Sequence, residues 1–100
     1  MYTVSAARFS MEEARSIGET IGIDWSESPF DVEQFRMGLE VELEHGRRDP
    51  ATDVTHDDAV MTGKIALAHL KEIPDYYMRL NKMEAEAESP QGEVNPTTPP

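Results

Sequence analysis

The chain has 100 residues, 20 acids against 9 bases, a formal net charge of −11 and no cysteine. That length holds one thin core, and the missing cysteines remove disulfides, thiolate metal sites and cysteine nucleophiles. The negative balance repels phosphate backbones and anionic lipid, so direct nucleic-acid or membrane binding is not expected, and apolar runs of only a few residues predict neither a membrane span nor a secretory leader.

Ser10 and Glu13 have capping-box spacing, with Phe9 and Ala14 at the staple positions around them. Met11, Ala14, Ile17 and Ile21 recur at helical spacing until Gly22 supplies a stop, which predicts a helix over 11–21. Residues 23–30 form a connector that carries the single tryptophan, Trp25, suited either to plug the core between two helices or to anchor a partner. Asp31 with Gln34, between Phe30 and Phe35, opens a second helix whose buried stripe is Val32, Phe35, Leu39 and Leu43. Gly46 ends it, and Arg47 and Arg48 complement the negative end of its dipole. Gly38 sits mid-helix, where glycine costs roughly 1 kcal/mol relative to alanine, and this points to close approach by another backbone or a bulky ring.

Residues 47–55 read as a polar loop. Thr55 is the expected cap of a third helix, with Asp57 and Asp58 in its first turn and an end near Ile73. Apolar over more than half its girth, this helix is expected to be the central, most buried one. Pro74 stops it and suits the start of a fourth helix reaching about Ala87, with Tyr77, Leu80, Met83 and Ala87 on one side. Glu84, Glu86 and Glu88 carry the wrong sign for the C-terminal end of that helix. Residues 1–8 are the only candidate strand and have nothing to pair with. Residues 89–100 hold four of the seven prolines and should be extended. The expected fold is all-α: a small bundle of three main helices plus a Pro74-initiated fourth, an acidic helical domain over 1–88 with an extended N-terminus, and a Pro-rich tail over 89–100.

Three strings, FRMGLEVELEHG (35–46), TGKIALAHLKE (62–72) and PDYYMRLNKME (74–84), stand in one order along the chain. Together they resemble a family of small acidic proteins of bacteria and their phages that is defined as a domain of unknown function. The resemblance covers roughly residues 9–84 and implies a setting in the host cytoplasm or in a virion. It carries no activity.

Two mirrored pairs are the strongest chemical signal. Glu42 and His45 stand three apart on the second helix, and His69 and Glu72 three apart on the third. Residues at i and i+3 share a helix face, and carboxylate with imidazole suits divalent iron, manganese or zinc. A tight antiparallel hairpin would set His69 near Val32 rather than His45, so the pairs meet only if the loop runs back along the bundle or if two chains associate. The alternative reading is a surface pair at 42 and 45 and a packed histidine at 69. The loop acids Asp49, Asp53, Asp57 and Asp58 lack calcium-loop spacing. Asp75, Tyr76 and Tyr77 read as a kink packed by two rings. No phosphate-cradling glycine loop, nucleophile elbow or dinucleotide fingerprint is present, so no catalytic residue is assigned and no enzyme is expected.

These features lead to a non-catalytic acidic interaction module, a structural or accessory component of a larger phage-type assembly. Its expected partners are assembly subunits, a basic protein or a second copy of itself. Trp25, Tyr76, Tyr77, Pro90 and Pro96 are the candidate partner-binding residues. The alternatives are a helical metal-binding protein using Glu42, His45, His69 and Glu72, and an acidic inhibitor that mimics nucleic acid on a basic protein. No cofactor other than such a divalent ion is indicated.

Overall fold

Local side-chain caps mark where the helices begin. In the computed structural model, which describes residues 8–88, helix α1 spans Met11–Thr20. The Ser10 hydroxyl accepts from the Glu13 amide at 3.0 Å and the Glu13 carboxylate accepts from the Ser10 amide at 2.8 Å, a complete capping box. At the other end the Gly22 amide donates to Glu19 and the Ile23 amide to Gly18, the paired bonds of a Schellman motif. That motif needs a left-handed residue, and Gly22 supplies it at φ +98°.

Helix α2 spans Val32–Glu42 and continues as one tight 3-10 turn over Leu43–His45. Asp31 caps it by accepting from the Gln34 amide at 2.9 Å. The expected reciprocal bond does not form: the side-chain oxygen of Gln34 is buried without a hydrogen-bond partner among the described residues. Helix α3 spans Ala59–Glu72 and is capped by Asp58, not by Thr55. The expected start fails because His56 and Asp57 take left-handed φ values of 52° and 65°, which no right-handed helix contains. Helix α4 spans Tyr76–Glu88, two residues later than the Pro74 start read from the sequence. The described residues are helical with no strand; the strand candidate and the Pro-rich tail lie outside them, apart from Arg8.

Helices α2 and α3 each touch the three other helices, but the more buried of the two is α2, which buries Val32, Phe35, Gly38, Leu39 and Glu42. Helix α3 buries the small residues Thr62, Gly63 and Ala66 together with Leu70, while Ile73 stays 38% exposed. Its apolar girth therefore overstates its burial, and its small residues let it approach α2 closely. The crossing falls at Gly38. A Cβ placed there would sit 2.9 Å from the Ala66 Cβ and 2.6 Å from the Tyr77 Cε2. The ring anticipated opposite Gly38 is thus Tyr77, brought in by α4. Phe35 lies near Gly63, Gly38 near Ala66 and Glu42 near His69. These contacts ascend together along both helices, the reverse of a hairpin's register. The connection between them, residues 46–58, is long enough to permit it.

Gly38→Ala should destabilise the fold. Overpacking a tight crossing costs about 1–3 kcal/mol, which exceeds the roughly 1 kcal/mol gained in helix propensity. Urea denaturation should show a lower midpoint at unchanged slope; a midpoint equal to or above the parent's would contradict the crossing.

Candidate functional site

One carboxylate lies on the buried stripe of α2. Glu42 is only 3% exposed, among Leu39, Leu43 and Tyr77. Burying an ionised carboxylate costs several kcal/mol unless partners replace its water. The Tyr77 hydroxyl donates to Glu42 Oε2 at 2.5 Å. His69 Nε2 stands 3.6 Å from the same oxygen, and His45 Nε2 stands 3.4 Å from Oε1. Glu44 Oε2 lies 3.3 Å from His45 Nε2.

Each position has a local cause. Tightening to three residues per turn over Leu43–His45 eclipses i and i+3, so His45 is set directly over Glu42. The His45 carbonyl is then held from the loop: it accepts from the Val54 amide at 2.6 Å, the Thr55 amide at 3.1 Å and the Thr55 hydroxyl at 3.4 Å. The left-handed pair His56–Asp57 turns the chain sharply there, and the Asp57 carboxylate accepts from the Arg47 amide at 3.0 Å. Thr55 is therefore a buried strut beneath His45 rather than a helix cap. His69 lies one turn past the Gly38–Ala66 crossing. Its ring stacks on Tyr76 at 4.3 Å and 4° and meets the edge of Tyr77 at 6.2 Å.

The separations decide what the cluster can do. Good N–H···O bonds run about 2.7–3.2 Å. All three imidazole contacts are longer, at 3.3–3.6 Å. Ligand atoms at the corners of a tetrahedron with bonds of 2.0–2.1 Å are about 3.3–3.4 Å apart. Ligand atoms of Glu42, Glu44 and His45 all lie within 4.8 Å of one another. Glu42, Glu44 and His45 are thus the described residues that could share one ion, and the side chains of His45 and Glu44 are 41% and 45% exposed. The second oxygen of Glu42 faces Tyr77 and His69, which orient the ligand from behind.

Of the residues singled out from the sequence, Glu42, His45 and His69 come together, through the two oxygens of Glu42. Glu72 does not: it is exposed and forms no hydrogen bond or ion pair among the described residues. Glu44 was missed. The signal for it was present in the string ELEH, where a 3-10 turn brings adjacent side chains to one end of a helix. Tyr77 is fully buried and serves the core, so it does not present its ring to a partner. Tyr76 is half-buried against His69. Trp25 is half-buried, edge-on to Phe30 and Phe35, and its indole N–H donates to the Arg15 carbonyl at 3.1 Å. Pro90 and Pro96 lie outside the described residues. The loop acids are all engaged: Asp49 and Asp58 cap helical turns, Asp53 bonds His56 through backbone and ring, and Asp57 holds Arg47.

A family model described as protein of unknown function (DUF5661) matches residues 14–86, and the chain belongs to that family. No curated protein and no solved structure matches the chain. No helix among the described residues is long and apolar enough to cross a membrane.

Burial, and next the hydrogen bond to the Glu42 carboxylate, push the Tyr77 phenol far above its ordinary value. Tyrosine in the unfolded chain titrates near 10. Above about that pH the unfolded chain sheds a proton that the folded chain keeps, so this stability is complete below pH ~10 and falls as pH rises, by up to about 1.4 kcal/mol per pH unit. Urea unfolding followed between about pH 9 and 11 should show the decline, and Tyr77→Phe should flatten it by about one proton. Parallel curves for parent and variant would contradict the buried phenol.

Proposed function

We propose that this member of the DUF5661 family is a small helical binder of a divalent transition metal, held by Glu42, Glu44 and His45. The supporting observation is that one imidazole and two carboxylates, one of them buried, converge within 4.8 Å, with His45 Nε2 3.4 Å from Glu42 Oε1 and 3.3 Å from Glu44 Oε2, distances compatible with ligand edges about a single ion. An ion there neutralises the carboxylate that the fold buries. Two carboxylates and one imidazole suit zinc, manganese or iron(II). Tyr77 and His69 position Glu42 from its far oxygen without occupying the ligand face.

The test is calorimetric titration of untagged full-length protein with zinc, beside metal analysis of the purified chain. One equivalent should bind and raise the melting temperature. Glu44→Gln and His45→Ala alter half-exposed side chains and should abolish binding while the fold persists. Tyr77→Phe should weaken it by about 10–100-fold, as removal of an outer-shell partner does. Glu72→Gln should change nothing. Binding of less than about a tenth of an equivalent, with no thermal shift, would overturn the reading.

A second reading is favoured by a separate observation. Residues 81–88, the last two turns of α4, are all exposed, as are Met78 and Met83. A helical segment that packs on nothing in its own chain gains little from tertiary burial. This supports the interaction module inferred from charge, a non-catalytic component of a larger assembly in the host cytoplasm or in a virion.

A further inference from the structure

Helices α2 and α4 meet at Gly38 and Tyr77 and then part. Between them lies a groove of about 620 Å³. Its floor is apolar: Met37 and Val41 on α2, Leu80 and Ala87 on α4. The α2 wall follows Met37 and Val41 and continues through Glu44 in the 3-10 turn to Arg48 in the loop beyond it, and the α4 wall follows 80, 84, 87 and 88 at helical spacing. Two such stripes facing one another leave a channel shaped for the ridge of a third helix.

The charges on the two walls differ. On the α2 side, Glu33 and Glu40 are matched by Arg36, at 2.9 Å and 3.8 Å. Glu40 also accepts from the Arg8 and Phe9 amides at 2.7 and 2.8 Å. On the α4 side, Glu84 and Glu88 stand one turn apart on the same face, with no ion pair among the described residues. Like charges at that spacing repel. They also sit at the C-terminal end of the helix, where the dipole disfavours anions. Arg48 also lines the groove but forms no ion pair with Glu84 or Glu88 among the described residues, and an occupant with an apolar face and flanking cations would supply both contacts to this end of α4.

We propose that the α2–α4 groove docks an amphipathic helix of a partner protein, its apolar face on Met37, Val41 and Leu80 and its flanking lysines or arginines on Glu84 and Glu88. The inference rests on the interaction reading; Glu44 lines both this groove and the metal-binding group, so the test excludes metal. Occupancy cancels the repulsion along α4 and covers its free turns. Electrostatic attraction then brings basic partners in quickly and weakens as salt rises.

The test uses the full chain, in the presence of a chelator, and a fluorescein-labelled peptide of about fourteen residues, long enough for four turns, built from leucine and lysine in an amphipathic helical pattern. The controls are a scrambled peptide of the same composition and a leucine–glutamate version. One-to-one saturable binding of the first peptide alone is expected, with amide shifts in the spectrum of the labelled protein confined to 37–48 and 80–88. Glu84→Lys with Glu88→Lys should weaken binding by about tenfold or more, because like charges then face each other. Glu19→Lys with Glu27→Lys removes the same net charge from exposed positions elsewhere and should leave it unchanged. Equal loss in both double variants, or equal binding of the scrambled peptide, would reduce the attraction to net charge and overturn the groove. Saturable binding mapped to another face would overturn the groove and keep the interaction reading. No saturable binding of any of the peptides would overturn both.

Discussion

A buried carboxylate is the constraint on which the rest of this small fold depends. Glu42 lies in the apolar stripe of α2, and its direct hydrogen-bond donor is the Tyr77 hydroxyl from the last helix. That bond requires α4 to fold back over Gly38, where the absence of a side chain leaves room for the Tyr77 ring. The same crossing sets Ala66 against Gly38 and carries His69 to the carboxylate one turn later. The mid-helix glycine, the two adjacent tyrosines, Glu42, His45 and His69 therefore express one arrangement. Leaving Glu42 buried with Tyr77 removed would expose the chain to most of the desolvation cost of an unpaired charge.

The legible parts of this structure are those that short-range chemistry decides. Ser10 with Glu13, Asp31 with Gln34 and the stop at Gly22 were readable because a cap involves residues three or four apart. The close approach at Gly38 was readable as a cost that something must offset, and Tyr77 offsets it. The start of α3 was not readable. Thr55 has the composition of a cap, but its hydroxyl and amide are drawn to the His45 carbonyl ten residues earlier, and Asp58 takes the role. The burial of α3 was misjudged because apolar girth counts side chains, whereas close packing at a crossing selects small ones such as Gly63 and Ala66. For the site, Glu42, His45 and His69 were legible through i, i+3 spacing. Glu44 stands with Glu42 and His45 in the string ELEH, but i, i+3 spacing does not select it; the 3-10 turn after Glu42 brings it to His45.

The charge of the chain has two parts with different consequences. Around the body, several acids are locally matched: Glu33 and Glu40 by Arg36, Asp75 by Arg79 at 2.7 Å, Asp53 by His56. Such pairs solubilise the surface and add little stability. Glu84 and Glu88 are matched by nothing among the described residues, and they border an apolar groove. The ligand face around His45 and the groove share Glu44, which reaches His45 and also lines the α2 wall.

The central claim is that the Glu42–Tyr77 bond ties α4 to α2 and holds the buried carboxylate in place. A double-mutant cycle with Glu42→Gln, Tyr77→Phe and the pair, measured by urea denaturation near neutral pH, tests it most directly. The account predicts a coupling of about 1.5–3 kcal/mol, the range of a buried hydrogen bond to a charged group. Losses that add within about 0.5 kcal/mol would show two independent residues and contradict it.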